Sequence, residues 1–126
     1  MPIVEVIFFK DEKRQCPVLE WLNTLPQKIE AKARARIEEL AKLGHELRRP
    51  LADYLRDNIY ELRWRYHSVN YRILYFFYQR TTVVLSHGFT KEHIVPPKEI
   101  EVAIKNKKLF ESNPEKYSYE TASYEN

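Results

Sequence analysis

Arg63 and Arg65 stand two positions apart in an alternating stretch, and Arg72 interrupts an aromatic and aliphatic run a few residues later. A guanidinium keeps its charge at any physiological pH, and its planar fork of donors fits two phosphate oxygens at once. Several of them on one surface would suit the extra negative charge of a pentacovalent phosphoryl transition state. Trp64 and Tyr66 interleave with the arginines and His67 follows them. Aromatic faces stack on unpaired RNA bases with little sequence preference, so these three are candidate RNA contacts. Candidate proton-transfer groups are His67, His87 and His93, because imidazole titrates near neutrality. A histidine at a strand end is nonetheless more often a packing residue than a catalyst. Cys16 precedes Pro17 at a helix start and has no neighbouring base, so it reads as structural rather than nucleophilic. No spacing of histidine, cysteine or carboxylate suggests a metal site, and no cofactor is expected.

The elements that would carry these groups follow from periodicity. Residues 3–9 are β-branched and aromatic with one charge, as in a buried strand. Pro17 occupies a first helical position, and Val18, Leu19, Trp21, Leu22 and Leu25 supply the apolar stripe of a short helix. Thr24 and Gln27 have capping-box spacing, and Ile29, Ala33, Ile37, Leu40 and Ala41 continue a second helix to about Leu43, where Gly44 stops it. From Tyr60 the period becomes two: Tyr60, Leu62, Trp64 and Tyr66 alternate with Glu61, Arg63, Arg65 and His67. Residues 71–78 read as a central strand, and 82–87 as a third strand ended by Gly88. A last helix follows Pro96 and Pro97. The predicted order is β-α-α-β-β-β-α, an α+β fold whose helices cover one face of a mostly antiparallel sheet and leave the other open.

The turn between these strands falls around residues 68–70, and a loop of two or four residues would set a register in which paired numbers sum to 137. Arg65 would then face Arg72, with Arg63 and Glu61 further along the same side. A three-residue loop would spoil the facing pair. Two like charges facing one another call for an anion or a carboxylate between them. Pairing of Arg72 with Glu61 or Glu5 is the alternative to a phosphate site.

Composition narrows the class. The chain has 126 residues and only two glycines, Gly44 and Gly88, too few and too far apart for a phosphate-cradling loop or a dinucleotide fingerprint. A single cysteine makes no internal disulfide and fits a reducing compartment. No apolar run has the length of a membrane span and no signal segment is recognisable, so a cytoplasmic location is expected. The formal net charge of +3 is uneven: residues 111–126 hold four glutamates and one lysine, while the first 110 residues hold 20 basic and 14 acidic side chains. The domain therefore carries +6 and the tail −3, a field that attracts polyanions. Residues 1–110 are expected to form one domain and 111–126 a flexible acidic tail.

Residues 59–65 (IYELRWR), 70–77 (NYRILYFF), 83–91 (VVLSHGFTK) and 96–100 (PPKEI), supported by 17–22 (PVLEWL), together resemble the RelE/HigB toxin superfamily, in particular its phage-derived HigB-like branch. The resemblance runs from about residue 3 to 110. It implies a RelE-like fold and a type II toxin-antitoxin protein. The implied activity is a metal-independent mRNA endoribonuclease working on the ribosome, in which an RNA 2′-hydroxyl attacks the neighbouring phosphate. Its implied partners are mRNA and a cognate antitoxin, often a helix-turn-helix protein. By resemblance Arg72 is the arginine at the scissile phosphate, Arg63 and Arg65 are basic positions on the preceding strand, and Lys91 is a basic residue of the following loop. Glu61 departs from the pattern, which places a lysine there, and no tyrosine follows Lys91; His87 or His93 is the expected substitute in proton transfer. The alternatives are a ParE-like toxin that binds DNA gyrase without chemistry, and an inactive relative that only binds its antitoxin.

Overall fold

A computed structural model describes residues 4–90 and 94–119. Its elements are β1 (Glu5–Phe9), α1 (Pro17–Leu22), α2 (Gln27–Leu43), a 3₁₀ turn (Gly44–Glu46), β2 (Ala52–Arg56), β3 (Ile59–Tyr66), β4 (Val69–Tyr78), β5 (Thr82–Thr90), α3 (Pro97–Ser112) and β6 (Ser118–Tyr119). They make an α+β fold around one six-stranded mixed sheet in the order β2-β3-β4-β5-β1-β6. β1 runs parallel to β5, and the other pairings are antiparallel. No described helix is long and apolar enough to cross a membrane.

The two-residue period of β3 and β4 gives each side of the sheet its own core. Leu62, Trp64, Tyr71, Ile73 and Tyr75 pack under α1 and α2 with Val18, Leu22, Ala33, Ile37 and Leu40. Ile59, Leu74, Phe76 and Val84 face the other way and pack against Ile100, Ala103 and Phe110 of α3. The sheet face expected to be open is thus partly covered by α3. Pro97 starts α3 without a lost hydrogen bond, and Gly44, at φ 55°, ends α2 in the left-handed region.

Several expectations are corrected. Gly88 does not end β5; the strand continues to Thr90. Its lack of a side chain serves packing instead, since a Cβ there would lie 2.2 Å from the Trp21 ring, so α1 can sit against the sheet only over a glycine. Thr24 does not cap α2 but donates its hydroxyl to the Trp21 carbonyl at 2.6 Å, closing off α1. β2 was not foreseen, because Asp53 and Arg56 interrupt a stretch too short to show a period. The acidic tail is not wholly outside the fold. α3 runs to Ser112, Tyr117 is buried and stacked on Phe9, and β6 pairs with Phe8 and Phe9 of β1. A buried aromatic and a sheet edge order this piece despite its lack of large aliphatic residues. Residues 120–126 lie outside the described residues.

Candidate functional site

The turn between β3 and β4 consists of His67 and Ser68, with His67 at φ 55°, so β4 already begins at Val69. The register is therefore two residues from the expected one: Arg63, not Arg65, lies opposite Arg72, and Arg65 lies opposite Asn70. A shift of two leaves every side chain on its predicted face. Glu61, Arg63, Arg65 and Arg72 still share one face of the sheet, the face that α3 covers in part.

Two guanidiniums face to face need a counter-charge, and Glu61 provides it. Its Oε1 accepts from Arg72 Nη1 at 2.7 Å, and its Oε2 is 3.8 Å from Arg63 Nη1. Glu61 and Arg72 are both buried, 3% and 6% exposed, so this pair is screened far less than a surface one. Arg63 is fixed a second time, through its Nε, which donates to the Pro50 carbonyl at 2.8 Å. Its backbone N–H reaches the Leu51 carbonyl at 2.9 Å. Arg65 is exposed, donates from Nε to the His67 carbonyl at 3.2 Å, and has no carboxylate partner among the described residues.

These arginines line a cleft of about 410 Å³ at the edge of β3, closed by Pro50, Leu51 and Asn70. A fourth guanidinium joins them. Arg36 reaches from α2 around the sheet edge, donates Nε to the Arg63 carbonyl at 3.1 Å and pairs with Glu39. In the sequence Arg36 was one of several basic residues on α2, and nothing local distinguished it from Lys32 or Arg34. Four guanidiniums lining one cleft, with Glu39 and Glu61 as their carboxylate partners among the described residues, make a binding place for an anion with several oxygens, such as a phosphodiester.

The other candidates stand as follows. Trp64, expected to stack on RNA, contributes to the cleft lining but is only 4% exposed, its ring packed 5.9 Å from Trp21 and 5.7 Å from Tyr71. The same alternation that exposed Arg63 and Arg65 buried it. Tyr66 is half-buried beside Lys32, and His67 is exposed at the turn with its ring edge-on to Tyr66. Lys91 and His93 lie outside the described residues. Cys16 is buried at the start of α1, and burial pushes its thiol up to about 11, which suits a packing residue and not a nucleophile.

His87 is occupied on both ring nitrogens. A bulge between Leu74 and Tyr75 pairings leaves Ser86 as an extra residue of β5, so that Ser86 and His87 both turn toward α3. His87 Nε2 is 3.0 Å from Glu99 Oε1, Nδ1 is 2.9 Å from Ser86 Oγ, and Ser86 Oγ accepts from Asn106 Nδ2 at 2.9 Å. Nε2–H donates to Glu99, which leaves Nδ1 to accept from the serine. Such a ring fastens α3 to the sheet and has no nitrogen left for a substrate proton. Burial lowers the His87 pKa, against the opposing hydrogen bond and charge of Glu99. The unfolded chain then binds more protons than the folded one between that lowered value and the ordinary 6.5, so stability falls as the pH drops through this window. In denaturant titrations, His87→Gln should be less stable than wild type at about pH 7.5, and the difference should shrink by about pH 5.5. A constant difference would contradict this account.

The molecule is thus an α+β protein with a four-arginine cleft at one sheet edge. Residues 20–108 match the phage-derived Gp49-like family (DUF891), and the chain belongs to it. No curated protein matches this chain. Among the described residues no three histidine, cysteine or carboxylate groups are placed to hold a metal ion.

Proposed function

We propose that this protein is a toxin-type ribonuclease of the RelE/HigB kind, acting on mRNA at the ribosome. The observation that carries the reading is the convergence of Arg36, Arg63, Arg65 and Arg72 on one cleft, with Glu61 holding two of them apart at a fixed spacing. Guanidiniums already held in place stabilise charge on a phosphate as it becomes pentacovalent, without the cost of organising them during the reaction. Attack by a 2′-hydroxyl on the adjacent phosphate would leave a 2′,3′-cyclic phosphate and a 5′-hydroxyl. The partner expected to neutralise it is an antitoxin with a helix-turn-helix pattern.

One observation favours a second reading. Among the described residues the cleft lining contains arginines but no histidine, and the carboxylate beside it, Glu61, is committed to two of them. A cleft that binds without chemistry fits a ParE-like toxin directed at DNA gyrase. Brief induction in bacteria separates the two. The ribonuclease reading expects new mRNA ends within translated frames by primer extension and undisturbed supercoiling by purified gyrase. Intact mRNA together with inhibited supercoiling would reverse the assignment.

A further inference from the structure

A second depression of about 380 Å³ lies on the other side of the segment that closes the arginine cleft. Pro50 and Leu51 line the first; Arg48, Arg49 and Ala52 line the second. Arg48, Arg49 and Pro50 are exposed along the ridge between them. The two sites are neighbours on the sheet edge as well, since Ala52 pairs with Leu62 while the adjacent Arg63 lines the cleft.

The second depression is aromatic where the first is cationic. Tyr54 is 50% exposed, the most open aromatic ring among the large hydrophobic side chains of the described residues. It is held edge-on to Tyr60 at 5.1 Å, and Tyr60 is stacked on Tyr75 at 5.4 Å. Tyr54 is thus a rigid face backed by packed rings. Asp53, the one acid in the lining among the described residues, is paired with Arg49, whose hydrogen bond is the first cause holding that carboxyl below its usual range. A ring that is firmly backed, open on one side and bordered by cations is a stacking platform for a base of a single strand.

We infer that Tyr54 and Arg48 form a second subsite for single-stranded RNA, which receives a nucleotide next to the one whose phosphate occupies the arginine cleft. The inference rests on the ribonuclease reading and adds to it the path of the strand: along the sheet edge, over Arg48 to Arg49, onto the Tyr54 ring. It also accounts for an exposed tyrosine on an edge strand, where a charge would ordinarily guard against aggregation.

The test uses full-length protein and 2′-O-methyl oligoribonucleotides, which bind but lack the attacking hydroxyl, with affinity read by fluorescence anisotropy. A trinucleotide is short enough to occupy the cleft alone, and an octanucleotide reaches both sites. Tyr54→Leu should weaken the octanucleotide by about tenfold, the scale of one lost base stack, and leave the trinucleotide unchanged. Tyr54→Phe should bind both as wild type does. Arg48→Ala should reduce the salt slope by about 0.7 for the octanucleotide only, as expected for one lost phosphate contact on a single strand. If wild type binds both oligomers and Tyr54→Leu binds them equally well, the inference is overturned while the ribonuclease reading stands. If neither oligomer binds wild type, the inference is overturned, while the ribonuclease reading is decided separately by primer extension on translated mRNA. Loss of antitoxin binding by Tyr54→Leu, with octanucleotide affinity intact, would identify the surface as protein-docking and also overturn it.

Discussion

Glu61→Ala should lower the free energy of unfolding by about 3–5 kcal/mol, the range for breaking a buried ion pair by removing one partner. The effect comes from what is left behind. Arg72 is 6% exposed, faces Arg63 directly across the ladder, and would lose the carboxylate that bonds it at 2.7 Å. Two guanidiniums would then confront one another in a place that water reaches poorly. The loss should be far smaller when both charges are removed together. In Glu61→Leu/Arg72→Met, apolar groups of similar length replace the pair, and such replacements are often neutral or stabilising. Urea denaturation of wild type and both variants measures the difference. Equal stability of Glu61→Ala and wild type would show that Glu61 does not hold the arginines in place.

The same double variant allows the second expectation to be measured without confusing chemistry with folding. Arg72→Ala should reduce cleavage of translated mRNA by about a hundredfold or more, the loss expected when one preorganised charge is taken from a phosphoryl transition state. Since that substitution also strands the Glu61 carboxylate near a single remaining arginine, part of its effect would be structural. Glu61→Leu/Arg72→Met removes this difficulty, because it is expected to be folded and still inactive. Arg65→Ala provides an independent comparison: Arg65 is exposed and, among the described residues, bonded to a backbone carbonyl and to no carboxylate, so its loss should reduce cleavage while leaving the denaturation midpoint unchanged. Primer extension on one transcript, at matched protein concentration, compares the set. Cleavage by the double variant at the wild-type rate would remove Arg72 from the chemistry.

Both expectations depend on a pairing that periodicity could not identify. Alternation of apolar and charged residues in 60–67 already separated a core face from an arginine face, because side chains in a strand alternate whatever lies beside them. It did not say where the turn falls. A turn at His67 and Ser68 and a turn one residue later leave similar hydrophobic patterns, and the choice between them rests on the left-handed backbone of His67. Registers differing by two keep the face and exchange the partner, so Arg65 was expected where Arg63 is found. Trp64 shows the opposite failing. Its type suggested RNA stacking, but its parity placed it beneath α1, where Trp21 and Tyr71 enclose it.

The helices at Pro17 and Pro97, the glycine stop at Gly44, the amphipathic central strands and the side of the sheet on which Arg63, Arg65 and Arg72 gather are all legible in the order of residues. These are local properties, set by backbone preference and by the side-chain period. Folding in three dimensions is what puts Glu61 between Arg63 and Arg72, brings Arg36 to the same cleft from α2, and spends His87 on fastening α3. It alone also placed Tyr117 and β6 against β1. Each of these depends on groups distant in the chain arriving at one place, where charge must be balanced and buried polar atoms bonded, and that requirement has no signature in any single stretch of residues.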